Sequence, residues 1–289
     1  MFMREHQHHF RVSSMCRVLS VQRSGFYAWV KQPSSARTKD DARLLGLIKQ
    51  AWLESGTVYG YRKICADLRD LGESCSRHRV ARLMRLEGLR AQRGYGRRPR
   101  QRNGEPSVVA PNRLDRQFSV ALPDRHWVID ITYLRTHEGW LYLAAVIDLF
   151  SRQVVGWAMQ AQMATDLVLQ ALTMAVWRRR PQPGLMLHSD QGSQFTSGEW
   201  QAFLKSHRIE CSMSRRGNCH DNAVAESFFQ LLKRERVRRK IYSTREQARS
   251  DVFDYIELFY NPKRRHGANG GMAPVEYERK FRLSGAPGV

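Results

Sequence analysis

Residues 127–159 read WVIDITYLRTHEGWLYLAAVIDLFSRQVVGWAM, and three apolar runs inside them decide the fold. WVIDITYLR and WLYLAAVIDLF are rich in β-branched and aromatic residues and are separated only by the polar THEG; RQVVGWAM follows after a second short break. Such runs with hairpin-like breaks predict three consecutive strands. Beyond them the pattern alternates: a helix over 165–177, a strand over 185–188, a helix over 199–207, a strand over 210–213 and a helix from about Asn222. An antiparallel start followed by strand–helix alternation describes an α/β fold, a mixed sheet with helices on both faces. Thr196 with Glu199 three residues later predicts a capping box on the second of these helices.

The chain has 289 residues, 42% of them apolar, enough for one large domain or two smaller ones around a real core. Its formal charge of +21, from 48 Lys and Arg against 27 Asp and Glu, points to a polyanionic partner, and Arg binds phosphate in a bidentate, planar fashion. The charge is uneven: residues 1–110 carry 22 basic and 9 acidic side chains, and residues 111–289 carry 26 and 18. The front part is therefore the stronger candidate for nucleic-acid binding, although charge alone also suits a ribosomal or membrane-surface protein. Five cysteines without paired spacing argue against a disulfide framework and suit a reducing cytoplasm. His6, His8, His9 and Cys16 lack a second ligand pair at zinc-finger spacing and read as a polar N-terminal arm. The longest apolar run, 140–150, is too short to span a bilayer and contains Asp148, so no membrane insertion is expected.

Residues 15–30 show a short apolar periodicity around Ser24 and Gly25, and residues 40–55 read as an amphipathic helix; both suit simple helical packing. Further on, Ile64, Leu68 and Leu71 share one helical face and Val80, Leu83, Met84 and Leu86 another, with a Gly-containing turn between them, which is a helix-turn-helix pattern. Its second helix carries Arg77, Arg79, Arg82 and Arg85 and runs into RAQRGYGRRPRQRNGEP, where acids nearly vanish. That stretch, with Arg97 and Arg98, is expected to be a linker disordered without DNA. These six arginines are candidate DNA contacts, the alternative being a two-helix packing module with a solvated basic face. The expected organisation is an N-terminal helical region (1–57), a helix-turn-helix-like region (58–92), a basic linker (93–121) and an α/β core with a C-terminal helical extension (122–289).

Three carboxylates stand out in the α/β part. Asp130 lies among Trp127, Val128, Ile129 and Ile131, where burial is expected and an unpaired carboxylate would be costly. Asp190, in LMLHSDQGSQF (185–195), follows the carboxyl end of a strand, the usual ligand side of an α/β sheet; on its own it also fits a solvated turn. Glu226 shares a helix face with Asn222 and Lys233, so three acids and a cation can converge, with Asn222 and Lys233 as further candidate DNA contacts. His188 and Gln191 either shape the strand end or touch substrate, core or loop hydrogen bonds serving equally well. Asp148 is expected to pair with Arg152, and Cys219 beside His220 lacks the third group a nucleophile pair needs.

The frames WVIDIT, LHSDQGSQF and DNAVAESFFQLLKRE, in this order, resemble the DDE transposases of bacterial insertion sequences, of the second-reading-frame (OrfB-type) group in the retroviral-integrase superfamily. YGYRKI with RLMRLEGL upstream and YNPKRRHGANGGMAPVEY downstream extend the likeness over nearly the whole chain. The resemblance implies a ribonuclease-H-like core that cleaves DNA strands and joins them by two-metal-ion chemistry. Asp130, Asp190 and Glu226 match the metal-binding catalytic triad, and Lys233 matches the basic residue that contacts the transposon end. The implied cofactor is a pair of Mg²⁺ ions, with Mn²⁺ as a substitute; carboxylate oxygens without a Cys or His shell suit Mg²⁺. The implied partners are double-stranded DNA, both element ends and target, a homo-oligomer formed on DNA, and a DNA-binding segment supplied or fused by an upstream reading frame. The implied location is the bacterial cytoplasm at the nucleoid. Two alternatives remain: a non-catalytic DNA-binding regulator or inactive remnant of the element, and a nuclease of RNA–DNA hybrids.

Overall fold

The computed structural model describes residues 2–32, 35–92, 110–214 and 222–284. The chain divides into two compact units, Met1–Ala91 and Gln92–Val289.

The first unit is helical: α1 (Phe2–Glu5), α2 (Val12–Val18), α3 (Arg23–Lys31), α4 (Ala36–Glu54), α5 (Tyr61–Asp70) and α6 (Arg77–Leu86). The N-terminal segment is more than a polar arm, because Met3 is buried with Met15, Cys16 and Phe26. Leu44, Ile48 and Ala51 of α4 are buried, as are Ile64 and Leu68 of α5 and Val80, Leu83 and Met84 of α6. Ser35 and Ser76 cap α4 and α6 by accepting the amides of Thr38 and Arg79. Two expected core positions are surface ones: Leu71 is 68% exposed and Leu86 71%. Leu71 falls just past the end of α5 and Leu86 is the last residue of α6, so neither has a following turn to pack beneath it.

The second unit is built on a five-stranded sheet in the order β3-β2-β1-β4-β5. Strands β1 (His126–Thr136), β2 (Gly139–Asp148) and β3 (Val154–Gln160) form the antiparallel part. Strands β4 (Met186–Ser189) and β5 (Glu210–Met213) add to β1 in parallel. The period-2 alternation of β1 and β2 feeds two cores. Trp127, Ile129, Ala144 and Val146 pack with residues of α7 (Thr165–Arg179) and α8 (Gly198–Ser206) on one face. Val128, Leu134, Leu143, Ala145 and Ile147 pack on the other with α9 (Ala223–Glu235) and the segment after it. Gly156 of β3 lets α7 approach so closely that a Cβ there would lie 2.3 Å from the Ala171 carbonyl oxygen.

The cap of α8 is Ser197, whose hydroxyl accepts the Trp200 amide at 3.3 Å. Thr196 instead belongs to the tight turn Ser193–Thr196 and donates to the Ser193 carbonyl, so the expected capping box does not form. Past α9, helix α10 (Arg245–Phe253) runs directly into a wider π-helical stretch, Asp254–Tyr260, before α11 (Pro274–Leu283). Beneath them Glu235 at the end of α9 is buried against Arg264, with Nη2–Oε1 at 2.6 Å and Nε–Oε2 at 2.8 Å, and accepts the Tyr255 hydroxyl at 2.8 Å.

Candidate active site

Strands β1 and β4 are paired only through His126↔Met186, Trp127↔Leu187 and Val128↔His188. Beyond that last pair they part. Asp130 stands two residues past Val128, where the pleat returns it to the α9 face, and Asp190 stands two residues past His188. Glu226 in the first turn of α9 faces the same opening, close enough for its charge and that of Asp190 to act on Asp130. Burial first, then the two neighbouring carboxylates, push Asp130 up to about 8, against the pull of the Ile131 N–H and Lys233. The Ile131 N–H donates to Asp130 Oδ1 at 2.8 Å.

Asp190 is also raised by its surroundings, while the Gly192 N–H donates to its Oδ1 at 2.9 Å. A Cβ at position 192 would sit 3.0 Å from the same Oδ1 and 3.1 Å from Gln194 Oε1, close enough that these side-chain ends would have to give way. Glu226 is half-buried. Lys233, two turns further along α9, lies with Nζ 4.7 Å from the ring centre of Tyr133, and burial lowers its pKa with help from Arg238 and opposition from Asp130. Tyr133 in turn meets Trp140 edge-on at 5.1 Å, and both rings are exposed. This aromatic pair went unassigned in the sequence; its only trace there is a large ring at an outward strand position on each side of the THEG turn.

The donor set, carboxylate oxygens with one lysine near them, is of the kind that suits a hard divalent cation; burial, with the charges of Asp190 and Glu226, raises Asp130. Among the described residues no three such side chains have closed to ligand distance of one point, as expected of acids that repel one another.

Asn222 is not a surface contact. It is 5% exposed, its amide donates to the Ile129 carbonyl at 3.3 Å, and its Oδ1 is buried without a hydrogen-bond partner among the described residues. It ties the start of α9 to β1 one residue before Asp130. His188 is a core residue, with its ring nitrogens 2.9 and 3.0 Å from the Ser212 and Ser214 hydroxyls; Gln191 donates to the Ser214 carbonyl. Asp148 forms no ion pair with Arg152. Its oxygens are taken by the Asp124 N–H and by the Ser151 N–H and hydroxyl, while Arg152 donates to the Phe118 carbonyl. In the first unit, Arg79 is bound by Asp40 and Asp41 and Arg82 by Asp41, which removes Arg79 from the free basic face. Arg77 and Arg85 are exposed. Arg97, Arg98, Cys219 and His220 lie outside the described residues.

Residues 121–219 and 226–281 each match a family described as Integrase core domain, and residues 39–99 match an HTH-like domain. The sheet, its paired helical layers and the carboxylates at its parting strands make the second unit a ribonuclease-H-like integrase core. Over 281 residues the chain is 41% identical to the transposase InsF for insertion sequence IS3A of Escherichia coli (strain K12), covering 96% of this chain and 98% of that protein. It is 38% identical over 267 residues to the insertion element IS600 uncharacterized 31 kDa protein of Shigella sonnei, covering 92% and 98%. The chain belongs to the transposases of the IS3 family. Among solved structures, the catalytic core domain of BIV integrase aligns with a TM-score of 0.42 at 20% identity, covering 56% of this chain and 97% of that one. No helix among the described residues is long and apolar enough to cross a membrane.

Proposed function

We propose that this transposase cleaves the DNA at its element's ends and joins the freed 3′-hydroxyls to target DNA, with Asp130, Asp190 and Glu226 as its catalytic carboxylates. What supports this is that Asp130, just past the last β1–β4 pair, is raised to about 8 by its burial and by the charges of Asp190 and Glu226. Divalent cations, Mg²⁺ or Mn²⁺, when held by these acids would activate the attacking oxygen and stabilise the departing one. The Ile131 and Gly192 amides each fix one carboxylate oxygen, leaving the rest of each group turned to the opening. Lys233, whose charge acts on Asp130, offers a cation to a phosphate arriving there.

Arg77, Arg85 and the basic linker with Arg97 and Arg98 grip the duplex through its phosphates. Assembly as a homo-oligomer on the element ends, cooperation with an upstream-frame DNA-binding segment, and a place at the bacterial nucleoid complete the proposal. A non-catalytic regulator or an RNA–DNA hybrid nuclease fits less well, because the first has no use for three converging acids and the second none for a basic front unit. The test is strand transfer with the element's own ends: Asp130→Asn, Asp190→Asn and Glu226→Gln should each abolish Mg²⁺-dependent cleavage and joining while retaining end binding. Full activity in any one of them removes that residue from the site.

A further inference from the structure

The helix pair α2–α3 precedes the stretch that matches the HTH-like domain, residues 39–99, and its first helix ends in the αL cap that also closes α5, α4, α6 and α8. At the end of α2 the Leu19 N–H bonds Met15 O at 2.9 Å, the Val21 N–H bonds Cys16 O at 2.9 Å, and Ser20 between them takes a left-handed φ of 51°. At the end of α5 the Leu71 N–H bonds Asp67 O at 3.1 Å, the Glu73 N–H bonds Leu68 O at 2.9 Å, and Gly72 has a φ of 83°. Both helices thus reverse through the same αL cap. A serine accepts there a conformation that normally calls for glycine. Only Leu19, Ser20, Val21 and Gln22 separate α2 from α3, the short connection of a DNA-reading helix-turn-helix; the α5–α6 connection, Leu71–Ser76, is longer.

The pair's inner side is Met15, Cys16 and Phe26, with Val12 and Trp29 packed against them. Turning away at helical spacing are Ser24, Tyr27, Ala28 and Lys31, with Arg23 alongside, all exposed. That stripe holds two phosphate-binding cations, a hydroxyl, an aromatic ring and a methyl group, a set able to meet both the backbone and the base edges of a major groove. Around it residues 2–32 contain five cations, Arg4, Arg11, Arg17, Arg23 and Lys31, against the single acid Glu5. On α6, by contrast, Arg79 and Arg82 are drawn inward by Asp40 and Asp41. Among the described residues no ion pair engages Arg23 or Lys31.

We infer that α2–α3 is a second helix-turn-helix, which seats α3 in the major groove of duplex DNA beside the segment gripped by the HTH-like domain. The inference rests on the reading of the chain as a transposase that holds its own element ends, but it concerns binding alone. The test therefore uses the full chain in EDTA, with a labelled duplex taken from the DNA flanking its own gene. Affinity is followed by anisotropy over a range of salt concentrations and contacts by hydroxyl-radical footprinting.

Lys31→Ala should lower the slope of log K against log salt by about one unit, as for one lost phosphate contact. Ser24→Glu places an acid in the first turn of α3, where the helix tolerates it. It should cost on the order of tenfold in affinity by setting a negative charge against the DNA. Both should erase one patch of protection, distinct from the patch lost by Arg77→Ala with Arg85→Ala. Wild-type affinity and footprint in Ser24→Glu and Lys31→Ala would overturn the inference. So would a loss of self-association in the ultracentrifuge with DNA binding intact, which would make the exposed Val18, Leu19 and Val21 a docking face for a second copy. Because every arm reads binding in EDTA, where no strand is cut, a failure of the catalytic assignment leaves this result legible.

Discussion

Replacing Asp130 by asparagine should destroy activity and stabilise the fold. In the folded protein this carboxyl is raised to about 8 from an ordinary 3.8. Between those values the folded state keeps a proton that the unfolded state has released, so stability falls as pH rises from about 4 towards 8, and below about 4 the effect vanishes. At pH 7 the deficit has accumulated over roughly three pH units, a ceiling of about 4 kcal/mol at 1.36 kcal/mol per unit. Asparagine keeps the Oδ1 acceptor for the Ile131 N–H, bonded at 2.8 Å, and offers its amide hydrogens to the neighbouring carboxylates. At roughly 2–4 °C per kcal/mol for a unit of this size, that ceiling corresponds to a rise in melting temperature of roughly 8–16 °C, and the gain should be at least several degrees. Thermal melts of the full chain in EDTA near pH 8 and near pH 5 measure this, and the gain should be larger at the higher pH. Mg²⁺ added near pH 8 should raise the wild-type melting temperature more than that of the variant. A variant that melts below wild type near pH 8, or a gain independent of pH, would refute the charge-repulsion argument.

Gly156→Ala should destabilise the core by about 3 kcal/mol in urea unfolding, at the upper end of overpacking costs, because the new Cβ meets backbone atoms at 2.3 and 2.6 Å. Gly198→Ala, with nothing within 4 Å, should be neutral or slightly stabilising in the same assay. Lys233→Ala should reduce the salt slope of end binding by about one unit while leaving the Mg²⁺ midpoint within a few-fold, as read by parallel titrations. Arg264→Leu removes the two-pronged partner of the buried Glu235 carboxylate, leaving it the Tyr255 hydroxyl and the more distant Arg234, and should cost about 3 kcal/mol by chemical denaturation; adding Glu235→Gln should restore a large part of it.

The sheet was legible because β1, β2 and β3 are long, β-rich and separated by short polar breaks, and β5 begins and ends at the expected residues, Glu210 and Met213. The three acids were singled out by their local frames, and the electrostatic reach of Asp190 and Glu226 to Asp130 is something only the fold supplies. What sequence could not supply was competition between neighbours. Ser197 takes the α8 cap in place of the adjacent Thr196, a choice made by the tight turn before it. Arg79 and Arg82 looked like free cations, yet Asp40 and Asp41 nearly forty positions away in the chain claim them. Asp148 lies four residues from Arg152, but backbone amides and a hydroxyl reached it first. Asn222 shared a helix face with Glu226 and so looked like a substrate contact; the same face, at its lower end, is where α9 meets β1. The widened π-helical stretch after α10 carries no mark in the residue pattern, since its buried Tyr255, Ile256 and Tyr260 could as well line an ordinary helix.

The early end of the β1–β4 ladder makes the site soft in one direction and stiff in another. Each carboxylate is aimed by an amide beside it in the chain, Ile131 for Asp130 within β1 and Gly192 for Asp190 just past β4, so its orientation is a local property of its own segment. The distance between the two acids is under no such control, because the last paired residues, Val128 and His188, lie two positions back. Beyond that pair no β1–β4 ladder bond sets the span, which is left to the anchoring of each side: Asp130 within the β1–β2 ladder and the turn after Asp190 through Gln191 on the Ser214 carbonyl. In the strand-transfer reaction proposed above, a site built this way would hold its aim on each strand while the gap between the strands remains adjustable.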